Sequence, residues 1–568
     1  MIKEQGSEIA VSRSQSIKED EMAKEKEAPK RLSRRQFVKG AAAVAGAGAL
    51  AGCAPAATPA AAPTCPPCPT PPAGVPEEGA WDVPPPPIPA SDIKETITAD
   101  VVVVGSGTAG LTATVSAAEA GAKVILLEKL DTFRFGGGDN TAIGSRLQKE
   151  LGIEIDKELV IRELMRWGGN KPDQRLIRQW ADNCGKVMDW ILDMTDAAGI
   201  EPSIKQWPGP EGAYDFAAEY YGQVPSCHNF SLNGVAGQAI LLQALTDNAL
   251  TLGADIRYET PAVQLVREGN GRVTGVIAQT KEGDYAQFNA NKAVLLCTGD
   301  YGSNPEMMEK LCPWGADLAK NNMIPGNTGD GHKMAVWVGG MMELVPHAPM
   351  THGSGPLGAD AHLQVNRLGE RFQNEDVPGQ PACNAAQRQP GGGFFQVWDA
   401  KWEEEAPKMG VGLGKIYWPT QADRDKLQAK IEAGTVLTAD TVEELAQKME
   451  VPVETFKATV ERNNELARMG VDLDFGKRPD RLTTVEKPPL MAGWGGPRFL
   501  VVLGGLYVNP KLQGLDAEWK VIPGLYLAGN TVGNFYANDY PTMLPGLSHS
   551  RALTDGYIAG KNAAAETV

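Results

Sequence analysis

The chain of 568 residues is 42% hydrophobic and 22% charged, which supplies enough apolar side chain for a large core and excludes a disordered or fibrous protein. Its net charge of −16 argues against binding to nucleic acid and against electrostatic docking on an anionic membrane. The length predicts two or three domains, and the acidic surface either suits a basic partner, such as a small cationic electron carrier, or serves solubility alone.

Residues 1–52 have the pattern of a signal for export. Arg34 and Arg35 form the twin-arginine pair of SRRQFVK, and the apolar run 40–52 that follows is too short to span a bilayer as a stable helix. The letters LAG before Cys53 resemble the lipobox of bacterial lipoproteins, in which this cysteine is acylated. An Ala/Gly-rich signal with an incidental cysteine is the alternative. The pattern predicts twin-arginine export and a lipid anchor at Cys53, on the periplasmic or outer face of the cytoplasmic membrane.

Residues 53–95 are rich in Ala, Pro and Thr, which predicts an extended, partly polyproline spacer. Cys65 and Cys68 within it form a C-x-x-C, but Pro69 follows where a c-type haem site needs histidine. A local disulfide and a neutral coincidence both remain open for this pair. The other cysteines are scattered and predicted to be buried, and no cluster of histidines or carboxylates predicts a metal site.

Residues 101–128 predict a dinucleotide site, because an apolar strand, the loop GSGTAG, a small-residue helix, a second strand and an acid follow one another. Gly105 permits a tight turn, Gly107 lets the backbone approach a pyrophosphate at the helix N-terminus, and Gly110 permits close packing of the helix on the strand. Glu128 stands where an acid binds a ribose hydroxyl. The loop fits NAD or FAD, but an exported protein meets no replenished NADH pool, which favours a tightly held FAD.

The pattern continues as α/β. A second glycine-rich loop at 134–145 predicts another close approach of the backbone to a flat ring or a phosphate. Apolar residues at helical spacing predict core helices over 157–200. Beyond them the sequence predicts a helix over 236–252, strands over 255–259, 262–267, 272–280, 285–289 and 292–298, and a turn into a helix over 327–335.

Four motifs together carry a family resemblance: the first fingerprint, CTGDYGSN at 297–304, TGDGHKMA at 328–335 and GLYLAGN at 524–530. They resemble the FAD-dependent flavoproteins that include fumarate reductase, urocanate reductase and 3-ketosteroid Δ1-dehydrogenase, over about residues 96–565. The resemblance implies an α/β fold with a discontinuous, Rossmann-like FAD-binding domain and an inserted α+β capping domain. The implied boundaries are 96–344 and 491–568 for the FAD domain and 345–490 for the cap.

The same motifs imply non-covalent FAD. The residues expected to hold it are Gly105, Gly107, Thr108, Ala109, Gly110, Glu128, Lys129, Gly137, Gly138, Asn140, Thr141, Thr298, Gly299, Asp330, Gly529, Asn530 and Gly546.

The substrate side departs from the fumarate reductases of this family. Their proton-delivering arginine has no counterpart in the segment DVPGQ at 376–380, and their carboxylate-clamping arginine is absent from 536–549. Tyr540-Pro541 followed by Gly546 instead resembles the ketosteroid dehydrogenases, in which the tyrosine hydroxyl and a glycine N–H polarise a carbonyl. By this resemblance Tyr540 would stabilise a developing enolate. A tyrosine packed in a turn is the alternative.

Four more side chains are candidates for catalysis. His549 follows the Tyr540 loop, His347 and His352 lie near the predicted start of the cap, and an imidazole at any of these positions can exchange a proton near neutral pH. Arg371 lies in a segment that the family shares, where a role in the cap structure is equally well supported.

Together these observations predict an exported FAD oxidoreductase. It would transfer a hydride from flavin N5 to a C=C bond of a small enoyl or enone substrate, next to a carbonyl or carboxylate. Its electrons would come from a separate c-type cytochrome or a quinol-linked protein, since the chain has no haem motif. A Δ1-dehydrogenase-like desaturase and a flavoprotein that relays electrons without a small-molecule substrate are the alternatives.

Overall fold

The computed structural model describes residues 80–205, 224–353, 355–357, 361–377, 379–409 and 419–567. The predicted export signal, with Cys53, and the pair Cys65 and Cys68 lie outside the described residues. The chain divides into the units Met1–Val75 and Pro76–Val568, and everything below concerns the second. In its described parts, no helix combines the length and the apolar character that crossing a membrane requires.

The strands are, in chain order, β1 (Ile93–Val104), β2 (Val124–Leu127), β3 (Asn140–Thr141), β4 (Glu201–Ile204), β5 (Cys227–Leu232), β6 (Val235–Ala236), β7 (Asp255–Arg257), β8 (Ala262–Arg267), β9 (Val273–Gln279), β10 (Tyr285–Leu296), β11 (Pro349–His352), β12 (Leu363–Val365), β13 (Phe394–Trp398), β14 (Val436–Ala439), β15 (Leu490–Gly495), β16 (Arg498–Val502), β17 (Gln513–Leu515) and β18 (Val521–Leu527).

The α-helices are α1 (Thr108–Glu119), α2 (Arg146–Glu150), α3 (Lys157–Trp167), α4 (Gln174–Ala197), α5 (Gln238–Thr251), α6 (Pro305–Leu311), α7 (Pro313–Ala319), α8 (Asp330–Trp337), α9 (Gly379–Ala386), α10 (Trp402–Met409), α11 (Gln421–Glu432), α12 (Val442–Met449), α13 (Val453–Met469) and α14 (Leu547–Ala564).

The main sheet has the order β17-β18-β10-β1-β2-β7, and β9 joins it through β10 and carries β8. The strands β18, β10, β1, β2 and β7 run parallel to one another. Val101–Val104 is almost wholly buried, as expected for a central parallel strand with both faces covered. Because these strands are parallel, their carboxyl ends meet at one edge of the sheet, where ligands bind in open α/β folds.

Part of the region predicted as the cap forms a separate antiparallel sheet with the order β12-β13-β15-β14, and it has its own buried cores. Its last strand reaches Gly495, past the predicted boundary at residue 490. The strands β11 and β16 pair with each other on the path between the two sheets. They therefore form the wall where the inserted region leaves and rejoins the FAD domain.

Two details of the fold differ from the sequence-based expectation. The strands predicted over 285–289 and 292–298 are one continuous strand, β10, because β1 pairs with it along both halves. Trp81, inside the segment predicted as a spacer, is buried against Tyr301 and Phe499, and its carbonyl accepts a hydrogen bond of 2.9 Å from Trp337 Nε1. The end of the Pro-rich segment is thus packed on the FAD domain.

Candidate active site

A cavity of about 1030 Å³ opens at the carboxyl ends of the parallel strands. The residues that directly follow β1, β2, β10 and β18 line it, namely Gly105, Glu128, Cys297 and Ala528. The opposite wall comes from the inserted region and from β11 and β16. The cavity therefore lies between the main sheet and the inserted region, where the sequence predicts cofactor and substrate.

In the loop that follows β1, the backbone has open space beside Gly107 but not beside Gly105 or Gly110. Gly105 has φ +101°, and a Cβ there would lie 2.5 Å from the carbonyl oxygen of Cys297. A Cβ on Gly110 would lie 1.8 Å from the carbonyl oxygen of Gly105, so α1 packs directly on the loop. At Gly107, in contrast, no heavy atom comes closer than 3.9 Å to such a Cβ, and this residue lines the cavity before α1 begins. A pyrophosphate fits this open backbone at the positive end of the helix.

Glu128 lies in the cavity wall with its carboxylate fixed by the backbone. One oxygen accepts hydrogen bonds from the N–H and hydroxyl of Ser106, at 2.8 and 2.9 Å, and the other accepts from the N–H of Leu130 at 2.9 Å. Each carboxylate oxygen can accept more than one hydrogen bond, so a ribose hydroxyl can still bind here. The two Glu128 oxygens therefore form a rigid acceptor beside the glycine loop.

Lys129 and Asp330 form an ion pair of 2.8 Å at the rim of the cavity, and Lys129 also donates to Thr328. Burial raises the pKa of Asp330, but Lys129 and Lys333 outweigh this and lower it to about 2. The Asp330 carboxylate therefore remains ionised at neutral pH, and the pair joins the residue after Glu128 to the start of α8.

The second glycine-rich loop reaches the cavity with Gly137 and Gly138, and His549 holds it there. His549 Nδ1 lies 2.8 Å from the carbonyl oxygen of Asp139, to which it donates a hydrogen bond. Burial lowers the pKa of His549, which favours the neutral ring. Although His549 lines the cavity, its contacts are those of a positioning residue for this loop.

Asn140 and Thr141, expected to bind the cofactor, lie behind the loop and are fully buried outside the cavity lining. Asn140 donates to Gln238 Oε1 at 2.9 Å, and Thr141 shares a hydrogen bond of 3.0 Å with Ser226. Gly110 also lies outside the lining, beneath Gly105. All three support the cavity wall from behind, whereas the other residues expected to hold the cofactor line the cavity.

Tyr540 lines the cavity, and its hydroxyl oxygen accepts one hydrogen bond from the protein. The N–H of Ser548 donates to that oxygen at 3.1 Å, and no group among the described residues accepts the phenolic hydrogen, which can therefore be donated to a bound molecule. Burial raises the pKa of Tyr540 well above 10, so the hydroxyl stays protonated at neutral pH. Tyr540 is thus a built hydrogen-bond donor facing the cavity.

The helix α14 begins beside Tyr540. Gly546 directly precedes it with φ +80°, and a Cβ there would lie 2.3 Å from the carbonyl carbon of Asp139. Only glycine fits this position. The N-terminus of a helix carries partial positive charge, so the end of the cavity that holds Tyr540 and Gly546 favours negative charge on a bound molecule.

Two candidates for catalysis lie outside the cavity lining. His347 is 1% exposed, accepts a hydrogen bond of 2.6 Å from the Tyr301 hydroxyl and donates one of 3.1 Å to the carbonyl of Glu343. Both of its ring nitrogens are therefore engaged in the core. The structure places His347 in the interior, away from the reacting groups, because β11 begins after it and turns the chain toward the cavity only at Met350 and His352.

Arg371 is the second candidate for catalysis that lies outside the cavity lining. Its guanidinium donates to Glu375 at 2.8 Å and to Asp472 at 2.7 Å, with the side chain 7% exposed. Although burial opposes the charge, these two carboxylates raise the pKa of Arg371 above its ordinary value. The residue cross-links two segments of the inserted region and does not reach the cavity, so the structural role is the one that the contacts support.

The cavity lining also contains Lys205, Lys430, Trp494 and Arg498, to which the sequence analysis assigned no role. It contains His352 as well, which the sequence analysis named as a candidate for proton exchange near the start of the cap. They come from separate segments, and none belongs to a recognisable motif. For Arg498 a weak signal existed, since a lone arginine begins the otherwise apolar strand RFLVV.

The sequence pattern of the FAD binding domain family matches residues 100–541. The chain belongs to this family. It is 30% identical over 509 residues to the vinyl phenol reductase of Lactiplantibacillus plantarum, covering 82% of this chain and 97% of that protein. It is also similar to the open conformation of a flavocytochrome c3 fumarate reductase, with 26% identity, a TM-score of 0.63 and coverage of 84% of this chain and 79% of that one.

A 3-ketosteroid-delta4-(5alpha)-dehydrogenase from Rhodococcus jostii shares the fold, with a TM-score of 0.65, 24% identity and coverage of 84% of this chain and 99% of that one. These findings confirm the predicted family, the α/β fold class and FAD as the cofactor. They also confirm that the chain is an FAD-dependent oxidoreductase of the fumarate reductase-like family that acts on CH–CH bonds. The open backbone at Gly107, the acceptor at Glu128 and the two glycine loops are consistent with this cofactor.

Proposed function

We propose that this protein reduces a C=C bond conjugated to a carbonyl or carboxylate of a small molecule. The observation that carries the proposal is Tyr540, a residue of the cavity lining whose hydroxyl accepts from Ser548 N–H and donates to no acceptor in the described parts of the chain. FAD, when bound, supplies the hydride from flavin N5. Addition of a hydride to the β-carbon of such an alkene moves charge onto the conjugated oxygen, where a preorganised donor is worth most.

The residues around Tyr540 support this role. Burial keeps the Tyr540 hydroxyl protonated, and the N-terminus of α14 adds partial positive charge at the same end of the cavity. The carbonyl oxygen of the substrate would accept from Tyr540, which orients the alkene and stabilises the enolate. A proton drawn from solvent then adds to the α-carbon of the enolate, so that one hydride and one proton are added across the C=C bond. The inserted region on the opposite wall would limit access of water to this reaction.

The test uses the purified holoprotein, a reduced viologen as electron donor and a panel of enoates, enones and steroids. We expect one or more conjugated alkenes to reoxidise the reduced flavin and to support steady-state turnover. If no alkene does so but a saturated ketone bleaches the oxidised flavin, the protein is a desaturase. Turnover with dyes alone would show that the protein relays electrons and has no small-molecule alkene as substrate. Either of these results contradicts the proposed reduction.

Export and anchoring complete the proposal, and they depend on the twin-arginine pattern and Cys53. A lipid anchor at Cys53 would place the enzyme at the periplasmic or outer face of the membrane, near a c-type cytochrome or quinol-linked electron donor. Electrons would thus reach the flavin from a respiratory chain. A separate donor is part of this proposal because the C-x-x-C of the linker lacks the histidine of a haem site.

We predict that Cys53→Ala moves the protein from the membrane fraction to the soluble fraction, because the acylated side chain is lost. Cys65→Ala, twelve residues further along the same segment, is the matched control and should leave the distribution unchanged. The measurement is quantitative immunoblotting of cell fractions with and without a salt wash. An unchanged distribution of the Cys53→Ala protein contradicts the lipid anchor.

A further inference from the structure

Two strands place an arginine and a histidine side by side in the cavity wall. The antiparallel strands β11 and β16 pair His352 with Arg498. Residues directly opposite in an antiparallel pair project from the same face of the sheet, with Cβ atoms about 4.5–5.5 Å apart. Both side chains keep solvent-accessible surface, and both residues line the cavity. The two side chains therefore face the same space.

Arg498 differs from the other Lys and Arg side chains in the described lining. Each of those has a protein partner, in the ion pairs Lys129–Asp330 and Lys205–Asp139 and in the hydrogen bonds from Arg134 to the Pro325 carbonyl and from Lys430 to the Pro356 carbonyl. For Arg498, the described parts of the chain provide no carboxylate partner and no acceptor. A guanidinium that faces a cavity without a counter-ion is suited to an anionic group of a bound molecule.

The pair also lies within reach of the Tyr540 end of the cavity. His352, Arg498 and Tyr540 all line the same cavity, together with Asp139. Enclosure by the cavity walls lowers the pKa of His352 below its ordinary value, so a neutral ring with one N–H donor is favoured at neutral pH. A small molecule held by Tyr540 can thus extend toward His352 and Arg498.

We propose that Arg498 and His352 bind a second, anionic oxygen group of the substrate, a carboxylate or a phenolate, separate from the oxygen that Tyr540 polarises. The planar guanidinium of Arg498 would form paired hydrogen bonds with this group, and His352 would add one more. The substrate class is then a conjugated alkene with an acidic group at its far end. This inference rests on the proposed function, because it takes the alkene to lie at Tyr540.

The test compares three enones that share one scaffold: 4-carboxy-, 4-hydroxy- and 4-methoxycarbonyl-benzylideneacetone. We expect Arg498→Gln to raise KM for the carboxy or the hydroxy compound by about 10- to 100-fold and to leave turnover of the neutral ester unchanged. If KM rises for the carboxy compound, the group that Arg498 binds is a carboxylate. If KM rises for the hydroxy compound, the group is a phenolate. His352→Gln should raise KM for the same compound by a smaller factor. Arg468→Gln, an exposed arginine of α13 that pairs with Glu486, is the control and should change nothing.

Binding is measured separately from turnover, by titrating the saturated 4-carboxy and 4-hydroxy ketones into oxidised holoprotein and following the flavin absorbance. A weaker Kd for either ketone in Arg498→Gln supports the subsite even if no alkene is reduced, in which case only the proposed function fails. An equal loss for acidic and neutral compounds, or loss of FAD from Arg498→Gln, overturns the inference, because Arg498 would then act on the fold or the cofactor.

Discussion

Gly110→Ala is expected to abolish FAD binding or folding of the FAD domain. The added Cβ would lie 1.8 Å from the carbonyl oxygen of Gly105, a backbone atom in the loop that faces the cofactor. Either α1 moves away from the sheet or the loop moves into the cavity. Overpacking a core commonly costs about 1–3 kcal/mol, and a rigid backbone contact belongs at the upper end of that range or above it. A shift of the loop that costs only about 1.4 kcal/mol of binding free energy already weakens FAD affinity tenfold.

The measurements are the FAD content of the purified protein, the Kd for FAD of the apoprotein and the thermal midpoint of unfolding. Gly121→Ala is the matched control, because Gly121 lies just beyond the other end of α1, has φ +84° and has open space around its Cβ position. It should lose about 1–2 kcal/mol of stability from the left-handed backbone alone and keep wild-type FAD affinity. A Gly110→Ala protein that binds FAD like the wild type would contradict the contact between helix and loop.

Tyr540→Phe is expected to lower kcat for alkene reduction by about 10²- to 10³-fold, the usual effect of removing one donor to a developing oxyanion. The ring remains in place, so the loss comes from the hydroxyl. Because burial holds the pKa of Tyr540 well above 10, deprotonation of this residue should not limit activity in the neutral range. Steady-state turnover on the best alkene of the panel, together with reoxidation of the reduced flavin by a dye, measures the effect.

Tyr536→Phe is the matched control for this experiment. Tyr536 is equally buried, its ring centroid lies 5.6 Å from that of Tyr540, and it is outside the cavity lining. This variant should retain turnover within a few-fold of the wild type, and both variants should keep FAD and dye activity. If Tyr540→Phe reduces the alkene at the wild-type rate, or loses dye activity to the same extent, the hydroxyl is not the donor that we propose.

Much of the cofactor site was predictable because its requirements are local. A side chain on Gly105 or Gly110 would collide with the backbone, whereas Gly107 keeps space for the pyrophosphate, and such requirements are visible in a few consecutive letters. The apolar run Val101–Val104 likewise predicted a strand without knowledge of its neighbours. The match to one family then followed from several such local motifs placed far apart in the chain.

Positions that depend on contacts between distant segments could not be predicted in this way. His347 and Arg371 have residue types suited to catalysis, yet the fold buries one against Tyr301 and ties the other to Asp472. His549 reaches the cavity, but its ring nitrogen is committed to the carbonyl of Asp139.

The first fingerprint, the family and FAD were therefore determined by the sequence itself, since glycine positions and apolar runs express backbone sterics that act over a few residues. Only the tertiary structure brought His352 opposite Arg498 and set both in the wall of the cavity that Tyr540 also lines. The physical reason is that strand pairing between remote segments decides which side chains share a cavity, and no local pattern records that pairing.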